Sequence, residues 1–237
     1  MLFADLSFTD LVSQIVDKVP SLRAIVMLAQ AEEMPPLRLP ADIELYCYED
    51  LILNADGNYE WPIFDEGSAS ALCYTSGTTG RPKGVLYSHR SAILHDYASN
   101  LADSLGLRAV DRVLPAASMY HVTGWAIPYC APMVGATLVL LGRHLDGPTL
   151  TRLLNDEQVT FAGGVPTIWF GVLDHMRSRG VRFTALKRLL VAGSACPQLL
   201  IEKFGSFGVE VHQAWGLSCP KTRYGGAHRR RVGQTPA

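Results

Sequence analysis

Apolar positions along this chain change period several times, and each change marks an element. Phe8, Leu11, Val12, Ile15, Val16 and Val19 recur at helical spacing behind Ser7 and Asp10, which are spaced as a capping pair. The run 23–28 then predicts a buried strand, so the first stretch reads as half of an α/β unit. Pro35, Pro36 and Pro40 mark 32–40 as a connection, and 59–67 is expected to be another. From residue 70 onward, short apolar runs predict strands at 71–75, 85–87, 112–116, 137–141, 159–162, 188–192 and 209–212. Between them, Ile93, Leu94, Tyr97, Leu101 and Leu105 share one helical face, and Ile168, Trp169, Val172, Leu173 and Met176 share another. Pro166 and Pro197 stand where first-turn prolines are tolerated. Strands alternating with helices predict an α/β architecture of mostly parallel sheets flanked by helices, without an internal repeat.

Composition narrows the class of protein. With 237 residues and 48% hydrophobic content, the chain can bury a sizeable core and form one or two domains. Its 21 basic residues nearly balance 22 acidic ones, so nothing in the overall charge argues for nucleic acid or a membrane surface as a partner, and no nucleic acid is expected. Cys47, Cys73, Cys130, Cys196 and Cys219 are widely spaced and include no Cys-x-x-Cys pair, so a reduced, cytoplasmic protein without a zinc site is expected. The first residues lack the basic and long apolar segments of a secretory signal. No uninterrupted apolar stretch reaches the roughly 20 residues that a membrane span needs.

Chemistry concentrates between Tyr74 and Gly84, in the order Tyr-Thr-Ser-Gly-Thr-Thr-Gly-Arg-Pro-Lys-Gly. Gly77, Gly80 and Gly84 let main-chain N–H groups approach a ligand closely. Thr75, Ser76, Thr78 and Thr79 add short hydroxyls, and Lys83 adds a mobile cation for phosphate oxygens. These are the parts of a polyphosphate grip, although composition alone would also fit a surface hairpin. A P-loop is excluded, because that pattern ends in Gly-Lys-Ser/Thr and position 82 is Pro82.

Read as an ordered string running on into Val85, the segment resembles the signature of the AMP-forming acyl-CoA synthetases and other adenylating enzymes. Four later segments resemble the same family, each at a predicted strand-to-loop junction, where ligands gather in open parallel sheets. They are Met119-Tyr-His-Val-Thr-Gly-Trp125, Gly163-Gly-Val-Pro-Thr167, Val191-Ala-Gly-Ser-Ala-Cys-Pro197 and Gln213-Ala-Trp-Gly-Leu-Ser218. Glycine and proline in the middle two would also suit tight strand-to-helix turns.

The resemblance covers residues 1–218 and is nearest to medium- and long-chain fatty-acid–CoA ligases. It implies part of the large N-terminal domain of the adenylate-forming fold, with 1–69 a partial α/β subdomain and connection and 70–218 the core AMP-binding domain. It further implies an acid–thiol ligase that takes a fatty or related carboxylic acid with ATP, Mg2+ and CoA, and leaves a homodimer open. Residue by residue, Lys83 and His121 take the catalytic positions. Thr78, Thr79, Gly80, Val122, Gly193, Ser194, Gln213, Ala214, Trp215 and Ser218 take the nucleotide-binding ones. Trp125, Gly164, Val165 and Pro166 border the acyl pocket, and Thr75 stands on the magnesium side.

The pattern then breaks. Where the family motif has a magnesium-binding glutamate the chain has Cys219, a soft ligand unsuited to a hard cation. Residues 219–237 resemble nothing in the family, and their cluster of Lys221, Arg223, Arg229, Arg230 and Arg231 is expected to be a solvated, disordered tail. A truncated or frameshifted product that begins partway through the large domain, with negligible turnover, is therefore the expectation.

Overall fold

The computed structural model describes residues 1–75, 81–142, 144–216 and 230–231, in two compact units, Met1–Ile63 and Phe64–Ala237. In the first unit β1 (Leu2–Asp5), β2 (Ala24–Leu28) and β3 (Glu44–Cys47) form a parallel sheet in that order, with α1 (Thr9–Ile15) and α2 (Tyr48–Leu53). Ile25, Val26 and Met27 of the predicted strand are fully buried. The predicted cap is corrected. Asp5 accepts the Ser7 N–H at 2.9 Å and starts a 3-10 turn, and α1 begins only at Thr9 without a side-chain cap. Of the expected helical face, Val12 and Val16 are buried while Phe8, Leu11 and Val19 are exposed.

The second unit opens with an antiparallel hairpin, β4 (Ala69–Thr75) and β5 (Lys83–Ser88), followed by α3 (His89–Ser99). After them come β6 (Arg112–Pro115), a single helical turn α4 (Val122–Trp125), α5 (Ile127–Met133) and β7 (Thr137–Leu138). The chain continues through α6 (Gly147–Asp156), β8 (Phe161–Gly164), α7 (Pro166–Arg179), β9 (Arg188–Val191), α8 (Gln198–Ser206), β10 (Glu210–Gln213) and β11 (Arg230–Arg231). The large sheet runs β11-β10-β9-β8-β6-β7, parallel throughout except for β11. Mostly parallel sheets flanked by helices are thus what the sequence pattern predicted. Of the expected tail, Arg230–Arg231 is described as a short strand on β10, and the rest lies outside the described residues.

The central strands are apolar on both faces because helices cover both. Leu114, Ala162, Leu189 and Val191 point toward α6, α7 and α8 and pack with Leu150, Trp169, Val172 and Phe204. Their neighbours Val113, Phe161 and Leu190 point the other way, onto Ile127, Cys130 and Ala131 of α5. The helices start where the sequence provides caps. Asp146 accepts the Thr149 N–H at 2.9 Å ahead of α6, and Pro166 opens α7, which ends at Gly180 with φ of 67°.

Three expectations about this unit change. β7 is shorter than 137–141, and β8 starts two residues later than 159, at Phe161. The apolar face assigned to α3 points outward. Ile93, Leu94, Tyr97 and Leu101 are exposed, Leu101 lies beyond the helix end, and only Leu105 is buried. The side that turns inward carries Asp96 and Ser99, because it meets polar groups of α5: the Asn100 amide donates to the Cys130 carbonyl at 2.9 Å, and the Cys130 thiol lies 3.7 Å from an Asp96 carboxylate oxygen.

Candidate nucleotide and acid site

The order β10-β9-β8-β6 places four carboxyl-terminal strand ends side by side, and the predicted site segments leave from those ends. At the end of β8 the glycine pair is dictated by packing. A Cβ on Gly163 would lie 2.6 Å from Ile127 Cδ1, and one on Gly164 would lie 3.0 Å from Trp169 Cζ2 and 3.1 Å from Ala116 Cβ. Glycine here lets α5 and α7 close on opposite faces of the same strand. Ala116, just after β6, then donates its N–H to the Gly163 carbonyl at 2.6 Å and keeps the two strand ends together.

The segment after β9 meets its neighbours at Gly193. Its φ of 85° favours glycine, and a Cβ there would lie 3.0 Å from Val165 Cγ1 and 3.7 Å from Trp125 Cζ2. Ala214, after β10, donates its N–H to the Val191 carbonyl at 2.9 Å, and both Ala214 and Trp125 pack against the cluster around Ile127 and Leu190. Trp125, Val165, Gly193 and Ala214, from four different segments, therefore gather at one sheet edge. Gly193, Ser194, His121 and Trp215 are exposed there, and Trp215 keeps 63% of its surface accessible. Pro166 is buried in the first turn of α7, and Gln213 is half-buried at the end of β10.

The segment expected to grip polyphosphate lies between the two strands of the hairpin in sequence, and its residues 76–80 fall outside the described residues. Thr75, half-buried, and Lys83, exposed, are direct cross-strand partners at its base, and Tyr74 pairs with Gly84. Gly84 leaves room for the Leu72 and Tyr74 side chains, which would meet a Cβ at 3.1 and 3.5 Å. β4 also touches the α4 turn, so the foot of the loop borders the segment that follows His121. Thr78, Thr79, Gly80 and Ser218 lie outside the described residues, as does the side chain of Val122.

The opposite, amino-terminal edge of the sheet carries a buried charged cluster. Asp111, nearly fully buried, accepts from the Thr160 hydroxyl at 2.9 Å, the Arg108 N–H at 2.9 Å and the Arg188 guanidinium at 2.8 Å. Burial pushes its pKa up, but the hydrogen bonds from Thr160 and Arg108 and the charge of Arg188 outweigh this and hold it below the ordinary carboxylate value. Arg188 also donates to the Leu105 and Gly106 carbonyls and lies 5.2 Å above the Phe161 ring. One edge of the sheet is thus charged and locked, and the other sets glycines and Ala214 beside Trp125 and Val165. Sequence reading missed Ala116 and Ile127 as shapers of the site; the doubled glycine at Gly163 and Gly164 was the only trace of their close approach.

This architecture is that of the N-terminal domain of adenylate-forming enzymes, and the chain belongs to the AMP-binding enzyme family, which it matches over residues 8–218. Among its relatives is the medium-chain-fatty-acid–CoA ligase of Ectopseudomonas oleovorans, 46% identical over 215 residues, covering 90% of this chain and 39% of that protein. The 3-methylmercaptopropionyl-CoA ligase of Ruegeria lacuscaerulensis is 44% identical over 219 residues, covering 92% of this chain and 40% of that one. The inhibitor-bound N-terminal domain of FACL13 from Mycobacterium tuberculosis superposes with a TM-score of 0.66 at 25% identity, over 89% of this chain and 54% of that one. The chain thus spans about two fifths of the length of the curated relatives.

Proposed function

We propose that the second unit is the nucleotide- and acid-binding part of an ATP-dependent, AMP-forming acyl-CoA synthetase. The observation that carries this reading is the meeting of Trp125, Val165, Gly193 and Ala214 at the carboxyl ends of adjacent parallel strands. In the proposed reaction the acid's carboxylate attacks the α-phosphorus of ATP, forming acyl-AMP and releasing pyrophosphate; the CoA thiol then displaces AMP. The carboxylate is already a nucleophile, so the protein's part is positioning and neutralisation of phosphate charge.

In this scheme Lys83, with Thr78, Thr79 and Gly80, holds the phosphates, and His121 borders the junction of acid and phosphate. Gly193, Ser194, Gln213 and Ala214 approach the base and ribose, Trp215 offers a stacking face, and Ser218 and Val122 complete the nucleotide set. Trp125, Gly164, Val165 and Pro166 border the acid. A medium-chain fatty acid is the proposed substrate, supported by the 46% identity to a medium-chain ligase and by Trp125; the relative that acts on 3-methylmercaptopropionate makes a shorter thioether acid the second choice. A cytoplasmic location is part of the same proposal, and no described helix is long and apolar enough to cross a membrane.

Magnesium does not fit the donors at the two positions expected to face it. Thr75 supplies one neutral hydroxyl, position 219 supplies a thiol, and among the described residues no group of three or more His, Cys, Asp or Glu side chains could hold a metal. The proposed chemistry therefore gives the ion no role held by these residues, and the 237-residue chain is proposed to bind ligands with negligible turnover. Calorimetry with ATP and with a non-hydrolysable decanoyl-adenylate analogue tests the reading. The analogue is expected to bind more tightly than AMP or decanoate alone, and no binding of either ATP or the analogue would sink it.

A further inference from the structure

Four consecutive residues, Thr123, Gly124, Trp125 and Ala126, have φ of 48°, 68°, 58° and 63°. Three of them are not glycine, and L-residues resist this region because Cβ crowds the following carbonyl oxygen. Such a run persists only where its surroundings over-determine it. On its far side Ala126 is 2% exposed and Ile127 is fully buried, in the cluster that holds Phe161 and Leu190. Pro128, in the first turn of α5, has no N–H, and in a continuous right-handed helix its ring would clash with the Gly124 carbonyl. Gly124 is itself confined, since a Cβ there would lie 2.9 Å from Met119 Sδ and 3.2 Å from Pro128. The chain must therefore leave the axis of α5 before Ile127. On its near side the Gly124 N–H donates to the His121 carbonyl at 3.2 Å, and the His121 N–H donates to Ser118 at 3.0 Å.

We propose that Thr123 and Ala126 are positioning residues, whose left-handed backbone sets where His121 and Trp125 stand relative to each other and to Gly193. The inference rests on the adenylate-site reading for its functional meaning. Its physical basis is that His121 and Trp125 bracket the start of the run, so that relaxation of Thr123 toward the right-handed region displaces one against the other. The buried anchor at Ala126 and Ile127, with Pro128 behind it, opposes that relaxation.

Paired substitutions in the full chain test the proposal, because glycine accepts positive φ freely whereas proline locks φ near about −65° and cannot adopt it. Thr123→Pro is expected to weaken the decanoyl-adenylate analogue by about tenfold, as misplacement of site groups does. It should also shift the Trp125 resonance in 19F NMR of chain labelled with 5-fluorotryptophan, assigned by Trp125→Phe. Thr123→Gly is expected to keep the parent affinity and resonance and to raise the melting temperature. Pro128→Ala, which removes the block from the other side, should also shift the Trp125 resonance and serves if Thr123→Pro does not fold. A Thr123→Pro chain that melts earlier yet binds normally, with Trp125 unmoved, would reduce the turn to a structural role and overturn the proposal. If the parent chain binds no adenylate, the site reading fails instead; the Trp125 resonance needs no ligand, and its constancy in both variants would overturn the positioning claim by itself.

Discussion

Lys83 shows how far single residues could be read from the sequence. Its cation, the loop glycines and the neighbouring hydroxyls stand together in the sequence, which is why a phosphate grip is proposed there, and the structure adds that Lys83 pairs with Thr75 across the hairpin. Lys83 is exposed, so Lys83→Ala should leave the melting temperature within about 1–2 °C of the parent, as surface substitutions do. The same change should weaken ATP by roughly 10- to 100-fold in calorimetry, the worth of one charge-assisted contact. Cys130 illustrates what residue-level reading could not supply. Burial, then the adjacent Asp96 charge and its hydrogen bond, push this thiol up to about 12. At pH 8 it should therefore resist iodoacetamide in the folded chain and react only after denaturation, as mass spectrometry of the alkylated peptides would show.

Elements were legible where burial agreed with period and misread where it did not. On α7 the predicted face was right, since Trp169, Val172 and Met176 are all buried. On α3 the same periodicity identified a face but not the side it turns to, because Asp96, Ser99 and Asn100 take the inward positions against α5. Tyr97→Gln and Leu101→Gln are therefore expected to change unfolding free energy by no more than about 0.5 kcal/mol in urea titrations, the range for exposed sites. The strand ends behave oppositely. Gly164→Ala places a methyl against Trp169 and Ala116 and should cost about 1–3 kcal/mol in the same assay, the price of overpacking a closed core. Sequence reading assigned that glycine to a pocket; the packing of α7 onto β8 accounts for it before any ligand does.

At the scale of the whole molecule, the large sheet is fixed at its amino-terminal edge and left open at the carboxyl-terminal one, and pH should separate the two. The Asp111 group draws together residues flanking β6, β8 and β9, through Thr160, Arg188 and the carbonyls of Leu105 and Gly106. None of this was legible in the sequence, because its members are up to 83 residues apart. Asp111 has a folded-state pKa below the ordinary carboxylate value of about 4, so the unfolded chain binds its proton first as pH falls. Its contribution is thus complete above the unfolded pKa and is lost as pH falls through that value toward the lower, folded one. Asp111→Asn keeps the shape but leaves Arg188 without its counter-charge, and is expected to destabilise the chain by roughly 3 kcal/mol at pH 7. Below about pH 4 the gap between the two chains should narrow, since the unfolded parent then takes up a proton that folded Asp111 binds only at lower pH, and it should close once the folded carboxylate is neutral too. Urea titrations of both proteins between pH 7 and pH 3 would measure this, and a gap that stays constant with pH would show that Asp111 acts through shape rather than charge.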